Sequence, residues 1–162
     1  MEHLWSPWRY RYVSKAQPPE GCVFCRKAAQ RNDDENYVLH RGQRNFVILN
    51  LYPYTTGHLM VAPYAHVATL EEAGEETLAE MIRLVCLAER HLRAVYKPQG
   101  LNLGMNLGEC AGAGVAGHIH MHVLPRWVGD SNFMSTIAET RVMPEDLAVT
   151  YRKLRAAFDA GG

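Results

Sequence analysis

Three histidines alternate with apolar residues in the segment His118-Ile-His-Met-His-Val-Leu-Pro125, and this pattern constrains the chain more than any other feature. Because successive side chains of a β-strand point to opposite faces, a strand here places His118, His120 and His122 on one face. The intervening apolar side chains then point the other way, into a core. A strand rise of about 3.3 Å per residue puts successive imidazoles about 7 Å apart.

Two kinds of chemistry use such a cluster. Imidazole is a common metal ligand, but the first and third histidines of one flat strand lie too far apart to share a small ion easily. A neutral imidazole is also a good nucleophile for phosphorus near neutral pH, and its neighbours can donate hydrogen bonds to phosphate and leaving-group oxygens. Covalent catalysis is the favoured interpretation. A three-histidine metal site and a strand that merely carries histidines remain as alternatives.

The composition and charge narrow the class of ligand. The chain has 162 residues, of which 48% are hydrophobic, so one domain can fill a core without disulfides. Seventeen basic residues balance seventeen acidic ones, which argues against electrostatic capture of nucleic acid or a membrane surface.

The N-terminus lacks the features of a signal peptide, and no apolar run approaches the length of a membrane span. We therefore expect a cytoplasmic protein.

The remaining segments predict an α+β fold in a single domain over residues 1–162. Residues 1–21 carry two tryptophans and two tyrosines, which favours an aromatic N-terminal arm. Apolar runs predict strands, and helical spacing predicts one long helix and a C-terminal helix across an antiparallel sheet. The predicted strands are 45–51, 58–63, 101–107 and 118–125, the helices are 70–96 and 144–160, and a shorter helix lies within 22–31.

The four cysteines do not suggest a disulfide framework. In a reducing compartment they are metal ligands or buried thiols more often than disulfides. Cys22 and Cys25 form a C-x-x-C pair, for which both interpretations stay open. Cys86 falls on the apolar stretch of the long helix and is expected in the core.

The histidine segment resembles the signature of the histidine-triad (HIT) family, in which three histidines alternate with apolar residues. The similarity extends to Asn50, to Gly57-His58-Leu-Met-Val-Ala-Pro63, to Asn106 with its glycine-rich loop, and to Pro125-Arg126-Trp-Val-Gly129-Asp130. The aromatic arm and the segment from Gly129 to Met134 resemble the bacterial branch that contains diadenosine tetraphosphate phosphorylases. The resemblance covers about residues 4–158 and implies an antiparallel sheet of about five strands.

The resemblance implies three catalytic histidines. His120 would be the nucleophile that attacks the α-phosphorus of a nucleotide. His122 would contact the phosphate and the leaving group, and His58 would sit behind the nucleophile and help to orient it. No organic cofactor is expected.

The resemblance also implies a set of nucleotide-binding residues. Asn50 would lie along the ribose and base. Asn106 and the backbone amides of the loop around Gly112 and Gly114 would hold the α-phosphate oxygens, and Arg126 could hold a distal phosphate. The serine or threonine that the family has just before the triad is missing, because this chain has Gly114-Val115-Ala116-Gly117 there. Loop N–H groups are the expected replacement, since glycine-rich loops bind phosphates in this way.

A structural zinc site is a further implication of the resemblance. The matching residues are Cys22, Cys25, His66 and His118. Two thiolates and two imidazoles form a natural tetrahedral zinc set with no open position, so the metal would stabilise the fold. It would pin the N-terminal segment to the catalytic strand.

The function expected from the sequence is nucleotidyl transfer. The substrate would be a dinucleoside polyphosphate, and inorganic phosphate or water would accept the nucleotide from a covalent nucleotidyl-histidine. A purine nucleoside phosphoramidase with the same intermediate is the second hypothesis. A nucleotide-binding or scaffolding protein with little turnover is the third. The family resemblance also implies a homodimer or a higher homo-oligomer.

Overall fold

A computed structural model describes residues 21–130 and 145–161. The predicted aromatic arm lies almost wholly outside the described residues, with its tryptophans Trp5 and Trp8. Phe133 and Pro144, which were assigned to the family segment and to the start of the last helix, also lie outside them.

Five antiparallel strands form a single sheet, which confirms the predicted α+β class. The spatial order of the strands is β1-β2-β3-β5-β4. In chain order they are β1 (Val38–Arg41), β2 (Asn45–Leu49), β3 (Leu59–Pro63), β4 (Gly100–Gly104) and β5 (Met121–Arg126). Strand β5 lies between β3 and β4, so the histidine segment enters the centre of the sheet.

The strands differ from the predicted ones in several respects. Strand β4 ends at Gly104 and not at 107, and β2 ends at Leu49 and not at 51. Strand β1 was not predicted, because it has only four residues and half of its side chains are polar.

Strand β5 begins at Met121, so His118 and His120 precede it, and the N–H of His118 donates to the carbonyl of Val115 in the turn that ends the glycine-rich loop. His122 is on the strand itself and pairs with Met60 of β3.

The predicted helix over 70–96 is two helices, α3 (Leu70–Ala73) and α4 (Glu75–Tyr96). They are separated at Gly74, whose φ of +75° suits glycine and breaks the helical backbone. Thr69 and Glu72 form a capping box at the start of α3.

The other helices are short or terminal. Helices α1 (Val23–Ala29) and α2 (Asp33–Asn36) precede the sheet. Helix α5 (Leu147–Ala160) begins three residues later than the predicted start at 144, with Asp146 as its N-cap. Within residues 21–130 and 145–161, none of the helices has both the length and the apolar character needed to cross a membrane.

Apolar side chains form one cluster on each face of the sheet. We call the larger one the helix-side cluster; it fills the space between the sheet and helices α4 and α5, and includes Leu59, Val61 and Leu154. The smaller one, the α1-side cluster, contains Phe24, Val38, Phe46, Ile48, Met60 and Ala62. Cys86 is exposed, so its predicted place in the core is wrong: it lies on the outer face of α4.

Candidate active site and metal-binding cluster

The triad histidines are buried on the α1 side of the sheet. His118, His120 and His122 are 0%, 6% and 8% exposed. Ile119 and Val123 point to the opposite side and join the helix-side cluster. Histidine and apolar side chains therefore alternate between the two sides from His118 to Val123, as the sequence predicts. This alternation brings the three imidazoles together.

One nitrogen of His120 is held by the backbone. Its Nδ1 lies 2.9 Å from the carbonyl oxygen of His118, which can only accept a hydrogen bond. Nδ1 therefore carries the proton, and Nε2 keeps a lone pair. Burial lowers the pKa of His120 below the ordinary value, which keeps this lone pair free of a proton at neutral pH.

His58 and His122 form a second, directional pair. The backbone N–H of Tyr54 donates to Nδ1 of His58 at 3.1 Å, so the proton of His58 is on Nε2. Nε2 then donates to Nδ1 of His122 at 2.8 Å, which leaves the proton of His122 on its own Nε2. The hydrogen bond of His58 thus goes to His122, whereas the predicted role of His58 was to sit behind His120 and help to orient it.

Burial keeps both members of this pair neutral. Burial, with smaller contributions from the neighbouring His122 and His120, lowers the pKa of His58 to about 3. It also lowers the pKa of His122 to about 4, with a smaller contribution from His120. Near pH 7 the site therefore combines a neutral acceptor nitrogen on His120 with a neutral N–H donor on His122.

The predicted nucleotide-binding residues differ in how directly they contact the histidines of the site. Asn50 donates to Nδ1 of His58 at 3.4 Å and accepts from the N–H of Tyr52, so it supports the triad directly. Asn106 donates to the carbonyl of Gly112 at 3.4 Å across the glycine-rich loop. Gly114 lies in the same loop, which folds back so that Val115 packs on the α1-side cluster.

Arg126 is held by other side chains at the end of β5. Its guanidinium donates to both carboxylate oxygens of Asp130, at 2.5 and 2.7 Å, and to Asn102 at 2.8 Å. A distal phosphate would have to compete with this ion pair.

Two cysteines and two histidines form a cluster beside the triad. Nδ1 of His118 lies 3.3 Å from the sulfur of Cys22 and 3.5 Å from that of Cys25, and Nδ1 of His66 lies 3.3 Å from the sulfur of Cys25. All four ligand atoms lie within 4.8 Å of one another. Bonds of about 2.0 to 2.3 Å at tetrahedral angles separate ligand atoms by about 3.3 to 3.8 Å, so this geometry fits a single zinc ion.

The second nitrogen of His118 supports the same assignment. Its Nε2 donates to the carbonyl of Pro63 at 2.8 Å, which turns the Nδ1 lone pair toward the two sulfurs. Metal-binding histidines commonly have such a carbonyl partner, because it fixes the tautomer and the ring orientation. The four residues named from the sequence are thus brought together.

Two residues beside the triad were missed from the sequence. The ring of Phe24 lies 5.2 Å from that of His118 and 4.7 Å from that of His120, measured between centroids. The ring of Tyr54 lies 4.7 Å from that of His58. Phe24 could have been identified from the sequence, because it lies inside the C-x-x-C pair. No motif in the turn that carries Tyr54 marked that residue.

Comparison with known proteins agrees with this geometry. The profile described as HIT domain matches residues 30–128. A relative from Mycobacterium tuberculosis named AP-4-A phosphorylase is 38% identical over 161 residues, covering 95% of this chain and 83% of the relative. The protein named Protein hit from Bacillus subtilis is 30% identical over 131 residues, covering 79% of this chain and 88% of that protein.

Solved structures resemble the fold closely. A zinc-bound histidine triad family protein from Mycobacterium smegmatis has a TM-score of 0.70 and 32% identity, covering 86% of this chain and 94% of that one. A hypothetical histidine triad nucleotide-binding protein from Sulfolobus tokodaii has a TM-score of 0.69 and 30% identity, covering 86% and 93%. The matched profile spans more than half of the sequence, and the chain belongs to the histidine-triad family.

Proposed function

We propose that this chain cleaves dinucleoside polyphosphates of the diadenosine tetraphosphate type by transferring a nucleotidyl group to His120. The observation that carries the proposal is the hydrogen bond from Nδ1 of His120 to the carbonyl of His118, which leaves Nε2 as a free base inside a buried site. The substrate class is supported by the name of the mycobacterial relative at 38% identity.

In the first step, the Nε2 lone pair of His120 forms a bond to the α-phosphorus. The bond from that phosphorus to the bridging oxygen breaks, and the oxygen leaves with its electron pair as part of a nucleoside triphosphate. The proton stays on Nδ1 of His120 and remains hydrogen-bonded to the carbonyl of His118, which stabilises the positive charge of the substituted ring. Nε2–H of His122 donates a hydrogen bond to the leaving oxygen, whose charge grows in the transition state.

In the second step, an oxygen of inorganic phosphate or water attacks the same phosphorus. The electron pair of the N–P bond returns to Nε2 of His120, and the product is ADP with phosphate or AMP with water. Splitting the displacement in this way is the usual advantage of covalent catalysis. Because His58 holds His122 through a bond of 2.8 Å, the same donor faces the phosphorus in both steps.

We also propose that the cysteine–histidine cluster holds a structural zinc ion. Cys22 and Cys25 would bind as thiolates, and His66 and His118 would bind through Nδ1. When bound, the ion supplies a closed tetrahedral centre that ties α1 to the approach of β5. The zinc-bound relative from Mycobacterium smegmatis supports this choice of metal.

A homodimer is the proposed assembly. Strand β4 is the last strand of the sheet, and Leu103 on it is 52% exposed. Ile82 on the outer face of α4 is also 52% exposed. Uncovered apolar side chains beside an open strand favour pairing with a second copy. Light scattering of the purified protein would report about twice the mass of one chain if this is right.

Product analysis tests the reaction. Purified protein is incubated with diadenosine tetraphosphate, with and without inorganic phosphate, and the products are separated by chromatography. ADP and ATP appearing only with phosphate identify phosphorolysis, whereas AMP and ATP without phosphate identify hydrolysis. Failure to cleave under both conditions would contradict the proposal and favour phosphoramidates or a binding role.

The matched variant is His120→Asn. Asparagine keeps a polar side chain of similar reach but lacks a nucleophilic ring nitrogen, so turnover should fall by at least about a thousandfold. Nucleotide binding, measured by calorimetry with a non-cleavable analogue, should change by less than about threefold. Turnover that survives this substitution would remove His120 as the nucleophile.

A further inference from the structure

Phe24 connects the cysteine–histidine cluster to the proposed nucleophile. It lies between Cys22 and Cys25 in the sequence, on the first turn of α1. Its ring is 3% exposed and packs against the rings of His118 and His120, with centroid distances of 5.2 and 4.7 Å. One side chain thus contacts a cluster ligand and the nucleophile together.

The orientation of His120 needs such a contact. The terminal torsion of a histidine has two broad wells, and rotation between them moves Nε2 away from its place and puts carbon there. The hydrogen bond from Nδ1 to the carbonyl of His118 favours one orientation, but a single bond at one ring edge does not block rotation. A ring packed against the face of the imidazole restricts this movement directly.

The position of α1 in turn depends on its two ends. At its C-terminal end, Lys27 donates to the carbonyl of Asn36 at 2.9 Å, and Arg41 donates to the carbonyl of Ala28 at 2.9 Å. At its N-terminal end, the sulfurs of Cys22 and Cys25 lie 3.3 and 3.5 Å from Nδ1 of His118. The cluster therefore holds the turn that carries Phe24.

We propose that Phe24 is a positioning residue for His120, and that metal binding by the cysteine–histidine cluster fixes Phe24 against the imidazole. The state of the cluster then sets the fraction of molecules in which Nε2 faces the phosphorus. The consequence for catalysis rests on the proposed function, but the geometric part does not depend on it.

The first experiment compares Phe24→Leu with Phe46→Leu. Phe46 belongs to the same α1-side cluster, is fully buried, and stacks on Tyr64; within the described residues its ring contacts no imidazole. We expect Phe24→Leu to lower kcat by about 10- to 100-fold, since small misplacements of reacting groups cost this much. KM should change by less than about twofold, and Phe46→Leu should keep kcat within about twofold.

Two outcomes would overturn the positioning role. Equal losses of kcat in both variants would mean that Phe24 contributes to the core only. A rise in KM at unchanged kcat would mean that the ring contacts the nucleotide instead of orienting His120.

A second readout does not require turnover. In ¹⁵N-labelled zinc-loaded protein, the Nδ1–H of His120 should give a slowly exchanging NMR signal, because it is buried and bonded to the carbonyl of His118. The signal should persist in Phe46→Leu and disappear or split in Phe24→Leu. If the wild type cleaves no dinucleotide but shows this pattern, the proposed function fails and the positioning role stands.

The role of the cluster is tested with His66→Ala and with chelation of the wild type. His66 is exposed, so its removal takes away one ligand without opening the core. Either treatment should remove the bound zinc, weaken the His120 signal, and lower kcat about as far as Phe24→Leu does. Chelation of Phe24→Leu should lower kcat by no further than about twofold. An unchanged His120 signal and kcat in metal-free wild type would overturn the link between cluster and nucleophile.

Discussion

At the scale of single residues, each of the four histidines of the candidate site, the triad and His58, has one nitrogen committed to a specific partner. Backbone carbonyls hold Nδ1 of His120 and Nε2 of His118, and a backbone N–H holds Nδ1 of His58. Each imidazole therefore presents its other nitrogen in a defined protonation state. The sequence predicts three imidazoles on one face, but these tautomers depend on carbonyls and amides whose directions are set by the fold.

The pH dependence of cleavage follows from these neutral imidazoles. Burial lowers the pKa of His122 to about 4 and also lowers that of His120, so both stay neutral well below the ordinary value of 6.5. Activity that needs the neutral forms is present above these pKa values and lost as the pH falls through them. We expect kcat/KM to stay level as the pH falls from about 8 through the ordinary histidine value, and to fall only at lower pH.

The measurement is kcat/KM for the dinucleotide, because this quantity reports the first step of a two-step transfer. Circular dichroism at each pH separates titration from unfolding. An acidic limb centred at or above pH 6.5 would contradict the neutral, buried arrangement.

Gly57, which precedes His58, gives a second prediction at this scale. Its φ is +80°, and an added Cβ would lie 3.1 Å from Leu92 and 3.3 Å from Pro125. Gly57→Ala should therefore cost the backbone strain of about 1 kcal/mol and a further cost of about 1 to 3 kcal/mol from overpacking. It should also lower kcat, because His58 would shift relative to His122.

Gly74→Ala is the matched control for this substitution. Gly74 has a similar φ of +75°, but an added Cβ there would meet no atom within 4 Å. It should lose only the backbone strain of about 1 to 3 kcal/mol, since φ of +75° with ψ of 160° is a region for glycine, and keep full activity. Urea denaturation measures both free energies, and equal losses in the two variants would mean that the close contacts at Gly57 are relieved without cost.

At the scale of elements, Glu80 ties helix α4 to the turn between β1 and β2. Its carboxylate accepts from the backbone N–H groups of Gln43 and Arg44 and from the side chain of Asn45, each at 2.8 Å. Burial opposes ionisation of Glu80, but these hydrogen bonds outweigh it and hold its pKa below the usual range. A carboxylate of this kind stabilises the fold above its unfolded pKa, and the stabilisation is lost as the pH falls through the folded pKa.

Glu80→Gln should cost about 1 to 3 kcal/mol at pH 7, because the new NH₂ group faces a donor and leaves it unpaired. The difference from the wild type should shrink as the pH falls below the ordinary glutamate value and through the lowered pKa of Glu80, because the wild-type carboxyl then also protonates. Urea denaturation across this pH range measures the free energy of unfolding of both proteins.

Glu76→Gln is the control. Glu76 is an exposed residue of the same helix and pairs with Arg44, so its substitution should change stability by less than about 1 kcal/mol at any pH. A cost of Glu80→Gln that is independent of pH would contradict the role of the charge.

The elements also show how far the sequence could predict the fold. Strands β2 and β3 were predicted because their apolar runs are bounded by turn residues, and α4 was predicted from its helical spacing. Strand β1 was missed because Val38–Arg41 is short and is recognised only by its pairing with β2. The hydrogen bond between His58 and His122 could not be predicted for a related reason, since the alignment of Met60 with His122 across the two strands cannot be seen from one segment.

At the scale of the whole molecule, the sheet separates two apolar cores with different supports. The helix-side cluster is covered by α4 and α5 and contains most of the fully buried side chains. The α1-side cluster is covered by a helix of only seven residues, whose N-terminal turn depends on the cysteine–histidine cluster. Such a short helix has little stability of its own, so its order comes from tertiary contacts.

Metal removal should therefore loosen one side of the molecule and spare the other. In hydrogen-exchange mass spectrometry, chelation should speed exchange in residues 22–30 and 118–120, while α5 keeps its protection, because local openings follow local contacts. Leu154→Ala is the converse control: Leu154 is fully buried on α5, and its truncation should cost about 2 to 5 kcal/mol and speed exchange in α4 and α5. If chelation instead speeds exchange evenly over both sides, the two cores unfold together, and the cluster stabilises the whole domain, not only the turn that carries Phe24.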